Sequence, residues 1–208
     1  MVATLVLTAA LGVLMGWLIF APDTPDGGSV DAGFARDMSE HHGQAVDMSL
    51  IVLQESDDPG IDVLAYDIAT TQSTQIGTMQ GWLDQWGLPS ARSEPRMSWM
   101  AEGAMTNGEM GSPAEPGEPD YRPMPGMASP AEMEGLRAAT STDSEILFLQ
   151  LMITHHLAGV DMAQAAVDRA DDPEVTRLAE AMVNGQRSEI DLMTDLLRER
   201  DAEPRESS

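Results

Sequence analysis

The chain contains its own copy. Residues 31–88 align with residues 145–202 at a constant offset of 114, without gaps, and 16 of the 58 pairs are identical. The identities cluster. Phe34, Met38, His41, His42, Val46, Asp47 and Met48 recur as Phe148, Met152, His155, His156, Val160, Asp161 and Met162. Asp57-Asp58-Pro59 recurs as Asp171-Asp172-Pro173. Leu64, Ala65, Gln72, Ile76, Met79 and Leu83 recur as Leu178, Ala179, Gln186, Ile190, Met193 and Leu197. A repeat of this length marks a duplicated supersecondary unit, and such units bury their apolar faces against one another.

Each unit reads as a helical hairpin. Phe34, Met38, His41, Ala45, Met48 and Val52 recur at three- and four-residue steps, which places them on one helix face. Asp58-Pro59 then supplies an N-cap followed by proline at the first helical position. Ile61, Leu64, Ala65, Ile68, Gln72, Ile76, Met79 and Leu83 form the stripe of the second helix. In the second unit Asp172-Pro173 is the turn, and Thr142-Asp143-Ser144-Glu145 has the pattern of a capping box. One hairpin cannot cover its stripe, but two can. The expected fold is all-α, an antiparallel four-helix bundle of two repeated hairpins. The hairpins occupy 31–88 and 144–200.

Between them, 89–143 is a crossover rich in Met, Pro and Gly, with a short helix expected near 130–139 behind the cap Ser129-Pro130-Ala131-Glu132. Residues 201–208 are a polar tail, expected to fray. At the other end, residues 2–21 carry no charge, and about 20 apolar residues is the length of a bilayer-spanning helix. A cleaved signal is the rival reading. No Lys or Arg precedes the apolar run, no clear small-x-small site closes it, and Pro22 follows Ala21 directly. We expect a transmembrane anchor over 1–22 and a short linker over 23–30. The bundle is then membrane-anchored and extracytoplasmic, or secreted if the segment is cleaved.

Composition narrows the chemistry. A net charge of -24 argues against binding nucleic acid through its phosphates. The absence of cysteine removes disulfides, thiolate metal sites and cysteine nucleophiles. Methionine is abundant, with 16 residues against 3 Phe and 2 Tyr. The four histidines all lie in two identical clusters, Met38-x-x-His41-His42-x5-Met48 and Met152-x-x-His155-His156-x5-Met162.

At about 100° per residue, Met38, His41 and Met48 share one helix face, while His42 lies near its edge. His41 and His155 are expected to point inward, with His42 and His156 nearer a helix–helix seam. Antiparallel pairing sets His41 level with Gln72 and Ile76, and Met38 with Met79. His155 then falls near Gln186, and Met152 near Met193. Each half-bundle is thus expected to hold an imidazole, two thioethers and an amide in one layer. Thioether sulfur prefers Cu(I) and Ag(I), and imidazole extends the site to Cu(II). Gln72 and Gln186 are expected to orient the imidazole N–H groups. Metal binding is expected to weaken as histidine protonates near pH 6. Met97, Met100, Met124 and Met127 are candidate auxiliary ligands in the crossover, alongside Met105 and Met110.

Against this stands a plainer reading, in which methionine at helical spacing fills the core and inward histidine is merely hydrogen-bonded. Asp47 and Asp161 are expected to face solvent, and Trp82 and Trp86 to cap the core. Enzymatic readings are poorly supplied. A di-iron bundle needs Glu-x-x-His motifs, which are absent, and Glu40 becomes Thr154 in the second unit. No His-Glu-x-x-His, nucleophile elbow or phosphate loop occurs.

The segments FARDMSEHHGQAVDMS, FLQLMITHHLAGVDMA and MPGMASPAEMEGLRAAT resemble the domain of unknown function 305 family, over about residues 31–200. The resemblance implies a ferritin-like four-helix bundle in exported or membrane-anchored bacterial proteins, some associated with copper. It carries over to Met38, His41, His42, Met48, Met152, His155, His156 and Met162. The expected function is extracytoplasmic copper binding for sequestration or delivery, without catalysis. Its partners are then a copper ion and, through the N-terminal helix, the membrane. The alternative is a cell-envelope interaction module whose Met/His clusters are structural, with a protein partner that the residues do not name. A ferritin-like oxidase ranks third.

Overall fold

Two Asp–Pro steps organise the chain. Asp58 Oδ1 accepts hydrogen bonds from the Gly60 and Ile61 amides, and Asp172 Oδ1 from the Glu174 amide, with Pro59 and Pro173 at the starts of their helices. Each cap satisfies amide donors that a helix start leaves without partners. A computed structural model describes residues 24–92, 94–100 and 124–205, together with Gly12 and Met15. Among these, all regular structure is helical: α1 (Val30–Glu55), α2 (Pro59–Trp86), α3 (Pro130–Ala138), α4 (Ser141–Arg169) and α5 (Pro173–Arg198), with a 3-10 turn at Ser98–Met100. The expected anchor over 1–22 lies outside the described residues, Gly12 and Met15 apart. So do Met105 and Met110.

The long helices pack in sequence-adjacent pairs, α1 with α2 and α4 with α5, and α1 packs on α4. α4 is apolar enough to cross a membrane by composition, but most of that stretch is buried inside the protein. α3 opens with the full capping box: Ser129 Oγ accepts from the Glu132 amide, and Glu132 returns a bond to the Ser129 amide.

The capping box expected at Thr142 does not form. α4 begins two residues earlier, at Ser141, and its N-cap Thr140 makes no side-chain cap bond. Glu145 is pulled elsewhere. Its carboxylate accepts from Ser56 Oγ at 2.9 Å and pairs with Arg200 Nε at 2.8 Å, both side chains being less than a tenth exposed. A buried carboxylate left without its cation is costly, so Glu145 stays with Arg200. Its counterpart Asp31 does the equivalent work at the other turn, accepting from the Asp171 and Asp172 amides. Each unit therefore ties down the interhelical turn of the other.

Two apolar clusters flank the histidines. One takes Phe34 and Met38 from before His41, with Met162, Ala163 and Ala166 from after His156. The other takes Met48 and Val52 from after His42, with Phe148, Leu149 and Met152 from before His155. The described parts of the crossover pack on the bundle. Trp99 packs edge-on to Phe34, and its Nε1 donates to Asp37 Oδ2 at 2.9 Å. Gly33 makes room for it, since a Cβ there would strike the indole. Arg92 pairs with both Asp37 and Glu40, and Arg96 joins Glu40.

Candidate metal centre

All four imidazoles are buried, none more than 1 % exposed. His41 and His155 do not serve separate halves. Their rings stack on each other, centroids 3.7 Å apart and 30° between planes, where α1 meets α4. His155 Nε2–H donates to the His41 carbonyl at 3.0 Å. His42 and His156 turn toward the second helix of their own hairpins. His42 Nε2 lies 2.7 Å from Gln75 Oε1, and His156 Nε2 lies 2.8 Å from Glu189 Oε2. Both partners are acceptors, so both Nε2 atoms donate, and each Nδ1 carries the free lone pair.

Those lone pairs have no partner. His42 Nδ1, His156 Nδ1 and both ring nitrogens of His41 are buried without a hydrogen bond. The Pro125 carbonyl approaches His41 closely enough to favour its protonated form slightly, but outside hydrogen-bond geometry. Buried polar atoms are nearly always satisfied, so four orphaned nitrogens in one layer call for a ligand. Neutral imidazole suits that ligand being a cation. Burial drives the His41 pKa down to about 3, helped by the neighbouring His42 and His156. It drives His42 down to about 4, against the opposing bond to Gln75. His155 is pushed well below the ordinary histidine value, again chiefly by desolvation. The expectation of protonation near pH 6 is therefore corrected: these rings stay neutral in the fold to far lower pH, because a charged ring has no water there.

A family profile described as domain of unknown function, DUF305, matches residues 31–197. The chain belongs to the DUF305 family. A crystal structure of a DUF305 protein from Streptomyces coelicolor is 46% identical, with a TM-score of 0.76, covering 87% of this chain and 99% of that one. A DUF305 fragment from Deinococcus radiodurans is 32% identical, with a TM-score of 0.63, covering 84% and 97%. CopM in its Cu(II)-bound form is 24% identical, with a TM-score of 0.60, covering 82% and 97%, a likeness of fold. No curated protein matches.

In this DUF305 chain the thioethers are divided differently from expectation. Met38 and Met79 do share a cluster, as do Met152 and Met193, but Met162 joins the first pair and Met48 the second. Each cluster is thus completed by the other repeat. Met38 and Met48 lie on opposite sides of the histidines along α1, and the packing of α1 on α4 sets Met162 with the first and Met152 with the second. Gln72 and Gln186 are buried but bond to no histidine, and their Oε1 atoms are unpartnered. Gln186 instead fills the space left open by Gly159. The orienting partners are Gln75 and Glu189. Identity matching missed them because they are equivalent positions holding different residues, one helical turn beyond Gln72 and Gln186.

Met97, Met100 and Met124 are buried in the same cluster as Met38, Met79, Met162 and Met182, and Met127 packs against it. The next residues of the crossover cover the histidines. Gly126, at φ 73°, packs so closely that a Cβ would strike Ala158, the Thr154 carbonyl and the backbone of His155. Gln44 holds this strap by two bonds, donating to the Ala128 carbonyl and accepting from its amide. Asp47 and Asp161 are exposed, and Trp82 and Trp86 stack on each other at the edge of the Met38 cluster. Among the described residues, no three His, Asp or Glu side chains are placed to hold one ion together. The other soft donors beside the imidazoles are the thioethers of the two flanking clusters.

Proposed function

We propose that this protein binds copper outside the cytoplasm, as Cu(I) with Cu(II) and Ag(I) as further cargo, for sequestration or delivery rather than catalysis. The observation that carries this reading is the layer of buried imidazole nitrogens without hydrogen-bond partners between two methionine-bearing clusters. The donor chemistry fits the metal: thioether selects monovalent soft ions, and imidazole extends the range to Cu(II). His41, His42, His155 and His156 would supply imidazole donors, with thioethers from Met38, Met79 and Met162 on one side and from Met48, Met152 and Met193 on the other. The scaffold we infer is a ferritin-like antiparallel four-helix bundle. Support comes from CopM, whose structures hold Cu(I), Cu(II) and silver. The extracytoplasmic setting rests on the apolar N-terminal stretch and on the Streptomyces relative, described as a candidate secreted protein.

The test is a titration of residues 23–208 with Cu(I), Cu(II), Zn(II) and Fe(II), read by thermal shift. Binding to the native state alone raises the melting point. Copper is expected to do so and Zn(II) much less. The double variant His41→Ala, His155→Ala is expected to lose most Cu(I) uptake in competition with a chelator. Unchanged uptake would remove these residues from the site. One observation favours the alternative of an envelope interaction module. Leu50, Val63 and Tyr66 are half exposed or more, where the second unit carries Gln164, Arg177 and Glu180. A fold indifferent to copper would favour that module.

A further inference from the structure

The two sides of the histidine layer are related by the repeat but differ at one place. Gln75 on α2 and Glu189 on α5 stand at equivalent positions, and each receives the Nε2–H of a buried histidine. A carboxylate has only acceptors. It therefore fixes His156 with its proton on Nε2 and its lone pair on Nδ1. An amide has both acceptor and donors. Rotated by a half turn, Gln75 would donate to Nε2, moving the His42 proton to Nδ1 and removing the lone pair that a metal needs. A carboxylate partner also makes the imidazole a stronger donor and places negative charge beside the bound cation.

We propose that Glu189 is a positioning residue that makes the two sides inequivalent: the His156 side is built for the divalent ion, and the His42 side for monovalent copper or silver. This rests on the copper reading above and adds a division of labour within the same layer. Both Nδ1 atoms are buried and unpartnered, so the difference lies in the partner and not in access. Both rings are fully enclosed.

The test exchanges the partners. Glu189→Gln is expected to weaken Cu(II) binding by about tenfold, the lower end of what loss of an outer partner costs, while leaving Cu(I) binding within about twofold. Gln75→Glu is expected to strengthen Cu(II) binding, and the double exchange Gln75→Glu, Glu189→Gln to restore wild-type Cu(II) affinity. Paramagnetic resonance then reports the nitrogen ligand moved from His156 to His42. Nitrogen-15 spectra of the metal-free protein supply a second readout. They are expected to show one tautomer for His156, two for His156 after Glu189→Gln, and one for His42 after Gln75→Glu. Copper affinities indifferent to both exchanges, or a single His156 tautomer that survives Glu189→Gln, would overturn the inference. A wild-type protein that takes up no copper would overturn the metal reading itself, and the division of labour with it.

Discussion

The two apolar clusters on either side of the histidines began as copies and no longer match. The Met38 cluster holds seven buried methionines, three of them delivered by the crossover, and Trp99 seals it. The Met48 cluster holds four, set among Ile61, Leu64, Ile68, Leu149, Leu151 and Phe148, with Leu136 of α3 over it. Even within the repeat the drift has a direction, since Met182 in one cluster stands where Ile68 stands in the other. Branched side chains hold few rotamers and define a shape. Methionine is unbranched, polarisable and adaptable. One end of the molecule is thus a shaped core, and the other a deformable, sulfur-rich one under a loop.

The sharpest way to break this contrast is to remove the same residue from both ends. Phe148→Ala is expected to cost about 3–5 kcal/mol in denaturant unfolding, because leucine and isoleucine neighbours collapse poorly into a cavity. Phe34→Ala is expected to cost clearly less, since methionines can refill the space. Equal losses would show that the ends do not differ in plasticity. Next comes the tie at each turn. Arg200→Met leaves Glu145 buried without its cation and is expected to cost roughly 3 kcal/mol. Asp31→Asn should cost well under half of that, because the asparagine oxygen can keep the shorter bond, from the Asp172 amide, and only the 3.4 Å bond from the Asp171 amide is lost. A third contrast concerns the strap. Gly126→Ala forces a Cβ into α4 at positive φ and is expected to cost about 1–3 kcal/mol, with faster chemical modification of His41 and His155. Gly87→Ala, also at positive φ but in open space, should leave the histidines as protected as before.

The smallest effect per step belongs to the layer both ends share. Free histidine in the unfolded chain titrates near the ordinary value of 6.5, while His41 and His42 in the fold titrate at about 3 and about 4. Their folded values are depressed, so the unfolded chain binds more protons in the window between. Stability is full above about pH 6.5 and falls as pH drops toward 4, at up to about 1.4 kcal/mol per pH unit for each ring. Thermal melts of the metal-free protein at stepped pH check this. A melting point flat from pH 7 to 4.5 would contradict the burial of these rings.

What could be read before folding was whatever depends on neighbours in sequence. The Asp–Pro steps, the Ser129 box and the inward face of His41 and His155 all follow from spacing within a helix or a turn. What could not be read depends on how α1 meets α4. The stacking of His41 on His155, and the exchange of Met48 and Met162 between clusters, arise only when two helices more than 100 residues apart come together. Glu145 misled for the same reason: its local pattern suggested a cap, but a distant arginine claimed it. Gln75 and Glu189 were legible in principle. Comparing the repeats for differences at polar stripe positions, rather than for identities, would have singled them out.

The constant offset of 114 has a consequence for the lineage as well as the fold. Two separate copies of one hairpin, meeting as a homodimer, must carry the same residue at every equivalent place. Glutamine facing one histidine and glutamate facing its twin is a state such an ancestor could not encode. Two copies in one chain are free of that constraint. The crossover that joins them then covered the two ends unequally, with Met97, Trp99, Met100 and Met124 over one and Met133 and Leu136 over the other. A fused chain can differ at equivalent places, and its histidine layer has two chemically distinct sides.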